Sequence, residues 1–224
     1  CVLCFFQDVI DTFRDLPTTQ QIHTLGSEIG PNPIYQIDWH GQPLLLVHPG
    51  VGAPLAGAFL EELIALGLRN FIACGGCGVL DGHRLPPGAV MLPTAAIRDE
   101  GTSYHYLPPS RLVYADKTAL HALETTLQHH HIPYEQGLTW TTDAPYRETR
   151  PKMVRRVAEG CLTVEMEAAA FFAIAQYRQV TLGQLLYGGD DLSGDQWDSR
   201  DWHGNHTARH KLLTLAAEAC LRLP

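Results

Sequence analysis

Short apolar runs punctuate the chain at residues 44–47, 71–74, 90–97, 137–142, 162–166 and 184–187, and residues 1–6 read as one more. Each is bounded by glycine, proline or polar clusters, the pattern of short buried strands. Between several of them, apolar residues recur at helical spacing. Pro54 opens one such stretch, with Leu55, Phe59, Leu63 and Leu66 along a stripe; proline suits a first helical turn. Residues 116–128, 151–158, 167–178 and 206–221 carry the other helical patterns. Strand–helix alternation along the whole chain predicts an α/β fold with a parallel or mixed sheet flanked by helices. No repeat, low-complexity tract or linker interrupts it, so a single domain over 1–224 is expected. The segment before residue 7 lacks a charged n-region and a cleavage site, so it does not read as a signal peptide, and a short N-terminal piece is expected to precede Cys1.

Composition narrows the function classes. The chain has 224 residues, 45% of them hydrophobic and 18% charged. No apolar run approaches the roughly 20 residues of a membrane helix. A formal charge of −8 argues against a nucleic-acid surface, which needs clustered Lys and Arg. Among six cysteines, Cys1/Cys4 and Cys74/Cys77 have C-x-x-C spacing. In a strand, positions three apart face opposite ways, and Cys74-Gly-Gly-Cys77 precedes no helix, as a redox pair would. Reduced, buried thiols in a cytoplasmic protein are therefore expected, rather than zinc or a disulfide.

Ligand sites in α/β sheets lie beyond the carboxyl ends of strands, which directs attention to the segments following each run. Glycines at 50–52 and 75–78 are read as turns, either simple strand exits or backbone nests for an anion. Asp190 and Asp191 follow Gly188-Gly189; adjacent residues diverge, so one is expected in the crevice, where it can act as a general acid, and the other in a turn. Glu165 and Glu167 straddle Met166 before an alanine-rich helix. They are either acids favoured by a helix N-terminus or a clamp whose oxygens accept from a cis-diol. The histidines at 203, 206 and 210, and at 129–131, lack an obvious carboxylate or thiolate partner, so no metal is expected there. Trp197 and Trp202 lie in the polar stretch 190–205, either anchoring it or closing it as a lid.

Val164-Glu-Met-Glu-Ala-Ala-Ala170 followed by Gly189-Asp190-Asp191 resembles the nucleoside phosphorylases of the uridine phosphorylase and hexameric purine nucleoside phosphorylase type. Gly50-Val-Gly-Ala-Pro54, Gly75–Gly78 and Thr142-Asp-Ala-Pro-Tyr146 are similar to further segments of that family, in the same order. The resemblance implies a mixed, partly barrel-like sheet. It implies ribose binding by Glu165, Met166, Glu167 and Val51, and a base pocket at Cys77, Gly78 and Tyr146. Asp190 becomes the general acid, with Arg209 supporting it. Phosphate is the co-substrate and no cofactor is implied; a nucleoside and phosphate are the partners, within a homo-oligomer. Gly50, Gly75, Gly76 and Arg98 are the expected phosphate residues, Arg98 because the family pattern departs here. Ala73 stands where the family has an arginine, Gly76 where it has Ser or Thr, and Pro145 where it has a stacking aromatic. The N-terminal Pro-Gly-Asp-Pro turn is not found. These departures leave three activities open: phosphorolysis, hydrolysis by water, and nucleoside binding without turnover.

Overall fold

The computed structural model describes residues 1–224. In chain order the strands are β1 (Val2–Cys4), β2 (Gln20–Ser27), β3 (Gly30–Trp39), β4 (Gln42–Val47), β5 (Asn70–Val79), β6 (Val90–Asp99), β7 (Leu112–Tyr114), β8 (Tyr134–Thr142), β9 (Cys161–Glu165) and β10 (Thr181–Asp191). The helices are α1 (Gln7–Arg14), α2 (Ala53–Ala65), α3 (Lys117–His129), α4 (Arg150–Ala158), α5 (Ala168–Arg178) and α6 (His206–Leu221). All ten strands join one sheet in the order β10-β6-β8-β9-β5-β1-β4-β3-β2, with β7 on β6. A further pairing of β10 with β5 closes the first five into a barrel. The remaining strands extend from it as an open wing, so the sheet is both barrel and blade.

Two apolar cores flank this sheet. On one face α3 and α6 cover Ile72, Cys74, Leu185 and Tyr187. On the other, α2 and α5 cover Leu3, Phe71, Ala73 and Leu182. Every residue of α5 from Ala168 to Ala175 is buried, which explains its alanines: a helix apolar all round belongs inside, and small side chains allow close packing. Asp116 caps α3 by accepting from the Ala119 N–H at 2.9 Å, and Asn205 caps α6 by accepting from that of Ala208 at 3.3 Å.

Three features differ from the sequence reading. Gly75–Gly78 is not a turn, because β5 runs through it to Val79. The glycines make room for rings: a Cβ on Gly75 would lie 2.9 Å from the Phe5 ring, and one on Gly76 would lie 3.3 Å from that of Tyr187. Asp190 and Asp191 likewise end β10 rather than follow it. The β2–β3 hairpin and α1 lie outside the runs read from the sequence, although Tyr35, Ile37 and Trp39 alternate with polar residues along β3 and α1 buries Val9 and Ile10 on one face. β2 has one buried residue, Leu25, and Pro31 and Pro33 punctuate β3 as befits a strand near a sheet edge.

Candidate active site

A cavity of about 400 Å³ is lined by the residues that follow β1, by residues within β5 and β10, by the carboxyl end of β9, and by the loops at Pro145 and Trp202. Four carboxyl side chains line it, from Glu148, Glu165, Glu167 and Asp190, and one cation, Arg209.

At one end lies the junction of β9 and α5. The strand stops at Glu165, and Glu167 is the residue before the helix. Glu165 turns back on its own chain: Oε2 accepts from the N–H groups of Glu167 at 2.7 Å and Ala168 at 2.6 Å. Its Oε1 accepts from Thr141 Oγ1 at 2.6 Å and Thr139 Oγ1 at 3.5 Å. Thr141 Oγ1 in turn accepts from the Ala169 N–H at 2.9 Å. Glu165 therefore satisfies the first turn of α5, a task every helix start presents. Glu167 points elsewhere. Its Oε1 accepts from the Gly52 N–H at 2.6 Å, in the left-handed turn (φ 87°) that begins α2. Burial raises the pKa of both acids, and the charge of Glu165 raises that of Glu167 further. Glu165 has more donors, which favours its ionised form over that of Glu167. Met166 and Val51 line the cavity beside them.

The other end is built from β10 and two loops. Asp190 Oδ2 accepts from Trp197 Nε1 at 2.6 Å. Asp191 faces away, pairing with Arg200 and accepting from the Ser193 N–H at 2.8 Å. The expected divergence of the two aspartates is thus observed. Glu148 also lines this end, its pKa pushed up to about 7 by burial and then by the charge of Asp190. Trp202 lines the cavity while stacking on His203 at 3.6 Å, and its carbonyl accepts from the Tyr187 hydroxyl at 2.9 Å. Cys77 and Gly78 line the wall, with Cys77 Sγ donating to the Tyr187 carbonyl at 3.2 Å.

Several expected residues are elsewhere or otherwise engaged. Arg98 is buried away from the cavity; its guanidinium donates to Ser103 Oγ, Ser110 Oγ and the carbonyls of Leu107 and Pro108, and lies over Tyr104. An arginine so fully satisfied is a structural tie, not an anion ligand. Tyr146 is fully exposed; the 3₁₀ turn Pro145–Arg147 rotates it to solvent and leaves Pro145 and Glu148 facing in. Gly50 spends its N–H on His48 Nδ1 at 3.0 Å and does not line the cavity. Gly75 and Gly76 do line it, but as strand residues. Arg209 reaches the cavity without touching Asp190. It pairs with Asp8 at 3.0 Å and lies 4.8 Å over the Phe6 ring, so Trp197 supports Asp190 instead. His206 bonds Asp8, His210 bonds Thr12 and His130 bonds Glu218.

Residues not anticipated include Gly52, Phe5, Phe6, Glu148, Gln184 and Tyr187. Gln184 is 1% exposed, lines the cavity floor, and its Oε1 has no partner. A polar residue inside an apolar strand run was its sequence signal. Glu148 had a weaker one, its place two residues after Tyr146 in the same loop.

Residues 1–222 match the family model described as the phosphorylase superfamily. A guanosine phosphorylase of Halorubrum lacusprofundi is 29% identical over 73% of this chain and 68% of its own. A uridine phosphorylase of Treponema pallidum is 32% identical over 64% of this chain and 60% of its own, so the match spans less than two thirds of that relative. Among solved structures, a purine nucleoside phosphorylase from Toxoplasma gondii superposes with a TM-score of 0.83 at 20% identity, covering 99% of this chain and 90% of that one. An AMP nucleosidase from Bacteroides thetaiotaomicron superposes with a TM-score of 0.78 at 22% identity, covering 97% and 85%.

Proposed function

Because this chain belongs to the phosphorylase superfamily, we propose that it cleaves the N-glycosidic bond of a ribonucleoside with phosphate, releasing the free base and ribose 1-phosphate. The observation that carries this reading is the sharing of one cavity by Glu167 and Asp190, brought from two strand ends. Glu167, with one oxygen on Gly52, holds the ribose diol through the other. Releasing its proton to solvent as the two hydroxyls donate to it, it favours the positive charge that develops on the sugar as the bond breaks. Met166 packs on the sugar. Asp190, oriented by Trp197, delivers a proton to the departing base, which for a purine is received at N7. Phosphate attacks the opposite face of C1′, taking the bond that the base gives up. The similarity to phosphorylases of both guanosine and uridine supports phosphorolysis. No cofactor enters the reaction.

One observation favours a second reading, hydrolysis by water: four carboxyls and a single cation line the cavity, a poor setting for phosphate. A homo-oligomer bears on this. Val51 lines the cavity and is 61% exposed, an apolar rim suited to cover by a second subunit, which could also bring a cation. The test is a nucleoside panel assayed with and without phosphate. Phosphorolysis requires base release to depend on phosphate and to yield ribose 1-phosphate. Equal release without phosphate, with free ribose as product, replaces it by hydrolysis. Binding with no release under either condition overturns both.

A further inference from the structure

Trp197 owes its place to something other than packing. Its indole is 62% exposed, so burial does little to hold it, yet its Nε1–H meets Asp190 Oδ2 at 2.6 Å. The backbone sets up that meeting. Past the end of β10 the chain folds back, and Asp191 and Asp198 exchange both hydrogen bonds of an antiparallel pair, at 2.8 and 3.0 Å. Asp190 and Trp197 each stand one residue before that pair, so they share a face as diagonal neighbours, within reach of an aromatic side chain. The fold-back is pinned from several sides. Arg200 pairs with Asp191, the Leu192 N–H donates to the Val79 carbonyl at 2.9 Å, and Arg150 donates to the carbonyls of Leu192, Ser193 and Gly194.

The two oxygens of Asp190 are thereby made unequal. An indole N–H can only donate, so Oδ2 must keep a lone pair towards Trp197. When Asp190 is neutral, its proton has one place left, Oδ1. That oxygen lies 3.5 Å from where a Cβ on Gly78 would stand, beside a residue that lines the cavity. We infer that Trp197 is a positioning residue, which assigns the proton of Asp190 to the oxygen facing the base. The inference rests on the cleavage reading above. In the reaction the Oδ1–H bond breaks and the proton passes to N7 of a purine, while the electrons of the C1′–N9 bond move into the base. The Trp197 N–H stays on Oδ2 of the carboxylate left behind, where a charge-assisted bond is stronger. Without that N–H the proton divides between two oxygens, one of them turned from the base.

The experiment compares guanosine with 7-methylguanosine, whose base is already cationic and departs neutral without a proton. Single-turnover base release is measured on the wild type, Trp197→Phe, Asp190→Asn and the double variant. Phosphate or water as nucleophile serves equally, since both leave the base to be protonated. Trp197→Phe keeps a ring and removes the N–H. A positioned general acid is worth about a hundredfold or more, so the guanosine-to-7-methylguanosine rate ratio should fall at least about tenfold in Trp197→Phe, and further in Asp190→Asn. With Asp190 already replaced, Trp197→Phe should move the ratio by less than about twofold, because no proton remains to be placed. A merely structural role slows both substrates and leaves the ratio where it was. A ratio unmoved in Trp197→Phe, or one that falls as far in the Asp190→Asn background, overturns the inference alone. Release from uridine with neither purine cleaved also overturns it, while the cleavage reading stands. No base release from any nucleoside overturns both.

Discussion

At the β9–α5 junction, two acids are fixed by the backbone of regular elements: Glu165 by the first N–H groups of α5, and Glu167 by the turn that opens α2. At the end of β10, Asp190 leans on a tryptophan from the loop that follows, and Glu148 on nothing. The first region lies on helices packed within the α2–α5 core, where Ala168, Ala169 and Phe171 are fully buried. The second lies among exposed segments, with Trp197 62% and Tyr146 100% exposed. The contrast fits the two halves of a nucleoside. Ribose is common to all nucleosides and suits a rigid grip, whereas bases differ, and loops change residues without cost to a core.

Replacing Glu167 tests the rigid end most severely. Glu167→Ala removes a charge-assisted grip on two hydroxyls and should lower kcat/KM about a thousandfold, from roughly 4 kcal/mol of lost hydrogen bonding. A variant that turns over normally would place the sugar elsewhere. Glu165→Ala should act on the fold before it acts on the substrate. It strands the first N–H groups of α5 and the Thr141 hydroxyl, at about 3 kcal/mol, and should lower Tm by about 6–12 °C. An unchanged Tm accompanied by a large rise in KM would make Glu165 a direct ligand and erase the difference between the two acids.

The smallest effect is in pH. The folded chain favours the protonated carboxyls of Glu167 and Glu148, both raised above the ordinary value of 4.5, that of Glu148 to about 7, with burial the leading cause in each. Their contribution to stability is complete below about 4.5 and is lost as pH rises through those values. Glu167→Gln should therefore gain Tm relative to the wild type between pH 5 and pH 8, by a few degrees. Glu148→Gln should gain less, being more exposed and less shifted. If the order were reversed, the loop end would be the more buried of the two, and the comparison would fail.

Much of this was legible in the chain. The strands and helices announced themselves through local periodicity, which needs no partner to be read. Glu165, Glu167 and Asp190 could be picked out because acids at strand ends are expensive to place without reason. The hairpin of β2 and β3 was harder to read, because β2 is largely exposed around a single buried Leu25 and β3 alternates only in its second half, at Tyr35, Ile37 and Trp39. The loop at 143–148 was not legible, since a single 3₁₀ turn decides that Tyr146 leaves and Glu148 enters.

The sequence by itself determined the alternation of most strands and helices and the acids available for chemistry, since propensity and periodicity act over a few neighbouring residues. Only the tertiary structure decided what each group faces. Arg98 resembles an anion ligand until the carbonyls of the loop that follows its own strand enclose it. Gly75 and Gly76 resemble a turn until the rings of Phe5 and Tyr187 close over them. Glu165 and Glu167 resemble equals until one meets Thr141 and the other Gly52. For the glycines and the two glutamates the deciding neighbour lies far along the chain, and in every case a side chain's role is set by the donors, acceptors and rings that packing brings to it.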